Sequence, residues 1–238
     1  MSHLQSMTME RYHKIRVLLS QRQPDLTLLL EEVHKPHNVS AVIRSADAVG
    51  VHRIHAVWEE NTPLLRGTAM GSQVWVDIQR HSSTKKAIKH LKSENMQVLV
   101  TNLDNTAVDF REIDYTKPTA ILLGQEKSGA TADAIAMSDH SIAIPMLGMV
   151  QSLNVSVAAA LILYEAQRQR DNAGMYEQNR LCEAQAQRRL FEGGFPVLHA
   201  VCMKRKLPFP MINDKGEIEA NDEWWQALQF SEKESTSI

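Results

Sequence analysis

The sequence predicts an α/β protein built on a mostly parallel sheet. Two observations carry that prediction. Through residues 25–170, apolar strand-like runs alternate with amphipathic runs at helical spacing, the signature of consecutive βαβ units. After Gly174 the strand-like runs stop, and helical patterns follow at 180–192, 195–206 and 222–229. The expected organisation is a helical extension at 1–24, an α/β domain at 25–172 and a second helical extension at 173–238. No internal repeat or low-complexity linker interrupts it.

Each element has a local cause. Thr8 caps a helix that runs to Gln21, with Met9, Tyr12, Ile15 and Leu19 along one side. Pro24 and Asp25 end it, and Leu26 to Val33 reads as a strand. The stretch HKPHN breaks that pattern. Val39, Val42, Ile43, Ala46 and Val49 then recur at helical spacing from an Asn38 cap, until Gly50 stops the helix. Arg53 to Trp58 is a strand, 59–73 a loop containing Gly67 and Gly71, and Val74 to Ile78 another strand. Ser83 caps a helix carrying Ile88 and Leu91. Strands follow at Gln97 to Thr101 and at Thr119 to Leu123, the latter bounded by Gly124. A short helix begins after Thr131, His140 to Ile144 is the last strand, and a long helix starts near Asn154.

Composition narrows the class. The 238 residues are 43% hydrophobic and 23% charged, an ordinary globular profile, and the formal net charge is −2. A basic surface can hide under that average: Arg168, Arg170, Arg188, Arg189, Lys204, Arg205 and Lys206 cluster toward the C-terminal third. Two cysteines without pair spacing fit a reducing compartment. No run reaches the ~18 apolar residues of a membrane span, and no signal core opens the chain; a cytoplasmic location is expected. Met1 to Ser6 reads as a dispensable leader.

Several motifs are missing. No GxGxxG follows a strand, so an ordinary dinucleotide fingerprint is excluded. GQEKSGAT at 124–131 has the glycine spacing of a phosphate loop, but Ala130 stands where the lysine is required. The pairs His34/His37 and His52/His55 lack a third ligand type to complete a metal site and read as loop and surface histidines. No GxSxG elbow or HExxH is present.

Three segments instead point to chemistry, all at strand ends or beyond them. In HKPHNVSAVIRSADAVG, Arg44 shares a polar face with Ser40 and Asp47. It is either half of a surface pair with Asp47 or a guanidinium aimed at a phosphate. In LLGQEKSG, the order strand, glycine, acid, glycine describes a tight turn that exposes backbone N–H groups and Glu126; a hairpin-like loop with a solvated Glu126 is the plain alternative. In IPMLGMVQSLNVSVAAALILYE, a turn-rich loop leads into a helix that is apolar all round for two turns and must be buried. Its alanines permit close approach of another helix, from this chain or a second subunit. Ser152 and Asn154 at its mouth need polar partners, because stranding each costs about 1–3 kcal/mol.

Taken together, the three segments resemble the motifs of the SPOUT methyltransferases, in the SpoU/TrmH branch. Asn38 with Arg44, GQEKSG, and IPMLGMVQSLNVSVAAALILYE occur in the branch's order, and flanks such as QRQPDL, VDFREIDYTKP and FEGGFPVL extend the match over residues 8–230. The resemblance implies a C-terminal deep trefoil knot in the sheet, S-adenosylmethionine as cofactor with no metal, a homodimer formed through the knotted domain, and tRNA as substrate. The implied reaction is methyl transfer to a ribose 2′-hydroxyl, at guanosine 18 of tRNA; another tRNA nucleotide, ribosomal RNA or a non-catalytic RNA-binding role are the alternatives. It assigns Arg44, Asn38, Glu126, Ser152 and Asn154 to the catalytic motifs. The cofactor is expected among Thr101, Asn102, Leu123, Gly124, Glu126, Gly129, Ile144, Pro145, Met146, Ser152 and Leu153. Arg44 then grips a phosphate beside the target ribose, and either a substrate phosphate or an arginine of strongly lowered pKa takes the hydroxyl proton. RNA contacts are expected from Arg11, Lys14, Arg22, Lys35, Arg168, Arg170, Lys204 and Arg205, with affinity falling steeply as salt rises.

Overall fold

A computed structural model describes residues 5–58 and 74–229. Contacts divide the chain into two units, one of Arg22–Arg180 and one that joins Met1–Gln21 to Leu181–Ile238. The loop expected at 59–73 lies outside the described residues.

The larger unit is a seven-stranded sheet whose neighbours are all parallel. Its strands are β1 (Leu26–Glu31), β2 (Arg53–Val57), β3 (Asp77–His81), β4 (Gln97–Thr101), β5 (Val108–Asp109), β6 (Thr119–Leu123) and β7 (His140–Ala143), in the spatial order β3-β2-β1-β6-β4-β7-β5. Its helices are α2 (Pro36–Ala48), α3 (Thr84–Ser93), α4 (Ala132–Met137) and α5 (Val155–Asn172), while α1 (Met9–Ser20) belongs to the smaller unit. LTLLLE in β1 and TAILL in β6 are buried at every position, as central parallel strands covered on both faces must be. The sheet splits their side chains between two cores. Leu28, Leu30, Ile121 and Leu123 pack with Val42 and Ile43 of α2 and Ile162 and Leu163 of α5. Leu29, Ala120 and Leu122 pack on the other face with Ile88 and Leu91 of α3 and Ala134 of α4. The result is a three-layer α/β/α arrangement.

Several boundaries differ from expectation. The third strand is Asp77–His81, three residues later than the apolar run at Val74 suggests. It sits at the sheet edge with half-buried side chains, and an edge strand needs no apolar sequence. The short β5 was not expected. His52 and His55 are buried rather than superficial. His55 Nδ1 lies 2.8 Å from His81 Nε2; burial, with His81 and His90 nearby, pushes the His55 pKa down to about 3. Among the described residues no group of three or more His, Cys, Asp or Glu side chains is arranged to hold a metal ion.

At the start of β1, Asp25 is the hub of a polar knot. Its carboxylate accepts from Arg170 Nη1 at 2.6 Å and from Arg180 at 2.8 and 2.9 Å. Arg170 also donates to the carbonyls of Tyr115 and Lys117 at 2.9 and 3.1 Å. Arg22 is equally buried, donating to Val51 O at 2.9 Å and pairing with Asp47. Both arginines are therefore withdrawn from the expected RNA-contacting set: their guanidinium groups are spent on internal carboxylates and carbonyls. Arg189 is likewise buried against Glu192. Removing one partner of such a network leaves an uncompensated buried charge. Asp25→Ala is expected to lower unfolding free energy by about 3–5 kcal/mol, read by urea denaturation.

The smaller unit contains α1, α6 (Glu183–Gly194), α7 (Pro196–Arg205), α8 (Asp222–Gln229) and an antiparallel pair, β8 (Met211–Ile212) with β9 (Ile218–Glu219). Thr8 caps α1, its hydroxyl accepting from Arg11 N at 3.3 Å. The pair β8–β9 corrects the all-helical expectation beyond Gly174. Asn213 Oδ1 and Gly216, at φ +73°, close its turn. Of the expected leader, Gln5 and Ser6 are described, and both are tied down: Gln5 O accepts from Ile218 N at 2.9 Å and Ser6 bridges to Glu217; Met7, the next residue, is buried. Among the described residues no helix is long and apolar enough to cross a membrane.

Candidate active site

Strands β6, β4 and β7 are adjacent, so the loops leaving their C-terminal ends converge. Open parallel sheets bind ligands at that edge. The three loops enclose a cavity of about 570 Å³. Thr101 and Asn102 contribute from the β4 loop, Leu123 to Gly129 from the β6 loop, and Ile144, Met146, Ser152, Leu153 and Asn154 from the β7 loop. Of the expected cofactor-contacting residues only Pro145 is missing from the lining. Ile142, Gln125 and Gln151 line it as well; nothing in their residue type marked them, only their place beside the motif residues.

The β6 loop has a built shape. Gln125 and Gly129 exchange both backbone hydrogen bonds, at 3.0 and 2.9 Å, so the loop is a tight hairpin-like turn. Gly129 sits at φ +70°, the left-handed region that glycine reaches without cost. A Cβ on Gly124 would lie 2.2 Å from Ala130 N and 2.3 Å from the carbonyl carbon of Gly129, so only glycine allows the loop to fold back this closely. Two carboxylates from the end of β1 fasten the loop's ends. Buried Glu31 accepts from Thr131 N and Oγ1 at 2.9 and 2.8 Å, and Glu32 accepts from Gln125 Nε2. Sequence reading missed both glutamates, because they lie inside a run read as an apolar strand.

Residues of the three motifs meet in one hydrogen-bonded chain. Asn38 is not the cap of α2. Pro36 occupies the first turn, where its missing N–H costs nothing, and Lys35 holds the capping position without a side-chain cap bond. Asn38 is thereby the third helical residue and is buried. Its Nδ2 donates to Glu126 Oε1, and its Oδ1 accepts from Asn154 Nδ2 at 3.2 Å. Asn154 caps α5 through Oδ1, which accepts from Ser156 N at 2.8 Å and Ser156 Oγ at 2.6 Å. Lys35 Nζ pairs with the other oxygen of Glu126. The Lys35 hydrogen bond, aided by Asn38, holds the Glu126 carboxyl below its ordinary pKa.

Ser152 is exposed on the cavity wall rather than buried. Arg44 is exposed on α2 and does not line the cavity. It does not pair with Asp47, which Arg22 takes instead. Arg168 pairs with Glu165 at 2.7 Å but stays exposed, and Arg205 donates to Ala227 O. Arg11, Lys14 and Lys204 are exposed. The first two turns of α5 are buried on one face only: Val157, Leu161 and Tyr164 keep 47, 43 and 54% of their surface, and Leu147 and Met149 are fully exposed.

Comparison with known proteins shows the family. Residues 25–164 match the SpoU rRNA Methylase family, and 168–221 match the family described as SpoU, rRNA methylase, C-terminal. The chain is 58% identical over 222 residues to the tRNA (guanosine(18)-2'-O)-methyltransferase of Escherichia coli strain K12, covering 92% of this chain and 97% of that protein. The crystal structure of the A. aeolicus TrmH/SpoU tRNA modifying enzyme superposes with a TM-score of 0.73 at 39% identity, over 79% of this chain and 96% of that one. An AdoMet-bound rRNA methyltransferase from Sinorhizobium meliloti gives a TM-score of 0.56 at 32% identity, over 63% of this chain and 59% of that one. With both halves of the chain matched in order and the motif residues gathered at one sheet edge, the protein belongs to the SpoU rRNA methylase family.

Proposed function

We propose that this protein transfers a methyl group from S-adenosylmethionine to the ribose 2′-hydroxyl of guanosine 18 in tRNA, working as a homodimer in the cytoplasm. The observation that carries the reading is the Glu126–Asn38–Asn154 chain beside the cavity, in a protein whose E. coli relative bears that activity in its name. The cavity suits the cofactor. Its volume lies in the range that encloses small ligands. Leu123, Ile142 and Ile144 offer apolar walls for a flat base, and Thr101, Asn102 and Ser152 offer polar groups. The S. meliloti relative was solved with AdoMet bound.

When bound, the cofactor supplies a methyl group already activated on a sulfonium. The chain's own residues must then place the ribose and steady the charge that develops on its oxygen. Arg44, a permanent cation on a rigid helix, grips a phosphate next to that ribose and stabilises the forming alkoxide. The hydroxyl proton passes to a substrate phosphate oxygen, because an arginine in a protein does not give up its charge.

Three features support the dimer and the knot. Val157, Leu161 and Tyr164 recur along one side of α5 with Leu147 and Met149 exposed nearby, an apolar face suited to a second copy. Arg44 lies off the cavity of its own chain, consistent with a site completed between subunits. The chain lays β4 down first and only later fills the slot between β1 and β4 with β6, which supports a threaded path. Arg11, Lys14, Lys204 and Arg205 of the smaller unit, with Arg168, are the RNA contacts retained.

The test is methylation of an unmodified tRNA transcript with labelled donor, followed by mapping of the alkali-resistant phosphodiester. Label at guanosine 18, lost when that position is adenosine, is expected. Label confined to another nucleotide or to ribosomal RNA fragments overturns the substrate assignment.

A further inference from the structure

The two amides between Glu126 and α5 have a fixed sense, and one end of the chain dictates it. An asparagine accepts only through Oδ1 and donates only through Nδ2. The Ser156 backbone N–H can only donate, so Asn154 must turn Oδ1 toward it. That leaves Asn154 Nδ2 for Asn38 Oδ1, and Asn38 Nδ2 for whatever ends the chain. The terminus must be an acceptor, and an ionised carboxylate accepts without donating. Glu126 fills that place with Oε1. Its second oxygen faces the Lys35 ammonium, so both oxygens meet donors and neither has room for a proton.

We propose that Lys35 is a positioning residue for methyl transfer: by holding Glu126 against the head of α2 as an ionised acceptor, it anchors the end of the relay that joins the β6 loop to α5. The proposal rests on the methyltransferase reading. It reassigns Lys35, whose side chain is committed to the protein rather than free for RNA. Lys35 and His37, both from the head of α2, each lower the Glu126 pKa, and Lys35 acts the more strongly. A cation lowers the pKa of a nearby carboxyl, so removing it makes proton uptake begin at higher pH. Without Lys35 the second oxygen loses its donor, and a proton taken up there leaves Asn38 a neutral, weaker acceptor, so the β6 loop is held less firmly to the head of α2.

The experiment compares wild type, Lys35→Met and Lys35→Arg. The Glu126 carboxyl is titrated by NMR in the cofactor-free protein, assigned through Glu126→Gln. Methyl transfer to unmodified tRNA is followed across the same pH range. In Lys35→Met, Glu126 is expected to titrate at higher pH and the acid limb of kcat to move with it. Below that limb kcat falls roughly tenfold, the scale of losing a residue that orients a functional side chain. Lys35→Arg keeps the charge and restores both. An unmoved Glu126 titration in Lys35→Met overturns the proposal. So does a variant that only raises KM for tRNA and flattens its salt dependence. If the wild type itself methylates no tRNA, the functional reading fails, while the NMR titration still decides the role of Lys35.

Discussion

Replacing Arg44 by alanine is expected to reduce single-turnover methylation about a hundredfold to a thousandfold, the usual effect of removing one group that stabilises a developing oxyanion. The affinity for S-adenosylmethionine should stay unchanged, because Arg44 does not line the cavity. Stability should also hold, since Arg44 is exposed and among the described residues no hydrogen bond or ion pair engages it. That freedom is unusual among the arginines near the sheet. Arg22, Arg53 and Arg170 are each tied to a carboxylate, so their role is internal. An arginine left without an internal partner is available to a ligand. Arg44→Lys should recover little, because a point charge cannot reproduce a planar, two-pronged grip on phosphate. Turnover close to wild type in Arg44→Ala, with the cofactor bound normally by calorimetry, would remove Arg44 from the mechanism.

Gly124→Ala should weaken cofactor binding by another route. The added methyl would meet Ala130 N at 2.2 Å, Gly129 C at 2.3 Å and Gly129 O at 2.5 Å. All three are main-chain atoms, so no side chain can swing aside. The hairpin-like turn must open and give up the two Gln125–Gly129 hydrogen bonds. Overpacking of this kind costs about 1–3 kcal/mol, which becomes roughly a tenfold to hundredfold loss of cofactor affinity if the closed loop is the binding form. Calorimetry with S-adenosylmethionine measures the loss, and circular dichroism checks that the sheet survives. Wild-type affinity in this variant would mean that the loop's shape is irrelevant to binding. The two variants separate the halves of the site: the first loses chemistry and keeps cofactor, the second loses cofactor.

Much of the sheet was legible in the sequence. Gln97–Thr101 and Thr119–Leu123 match residue for residue, because a doubly covered strand is a plain apolar run with polar ends. The edge strand Asp77–His81 was misplaced because only one side of it is paired and it tolerates Gln79 and Arg80. The Asn38 cap was a fair inference from residue type, but the helix starts three residues earlier, at Pro36 with Lys35 in the capping position, and that turns the same asparagine inward. Basic charge misled at Arg22 and Arg170: nothing in a lone arginine says whether its partner is an RNA phosphate or a buried aspartate. The site's wiring had the least signal of all. Asn38 lies 88 residues from Glu126 and 116 from Asn154, so the order of the motifs was readable while the bonds between them were not.

The smaller unit is assembled from two segments that flank the larger unit in sequence, and that fixes an order of events during synthesis. When α1 leaves the ribosome, Tyr12, Ile15 and Leu19, buried in the finished protein, have no companion yet. Helix α6 and the β8–β9 pair emerge only after the whole sheet has been translated. A released chain ended at Arg180 should therefore carry a bare helix α1 and a sheet able to fold, and protease digestion should trim Met9–Ser20 while sparing the sheet.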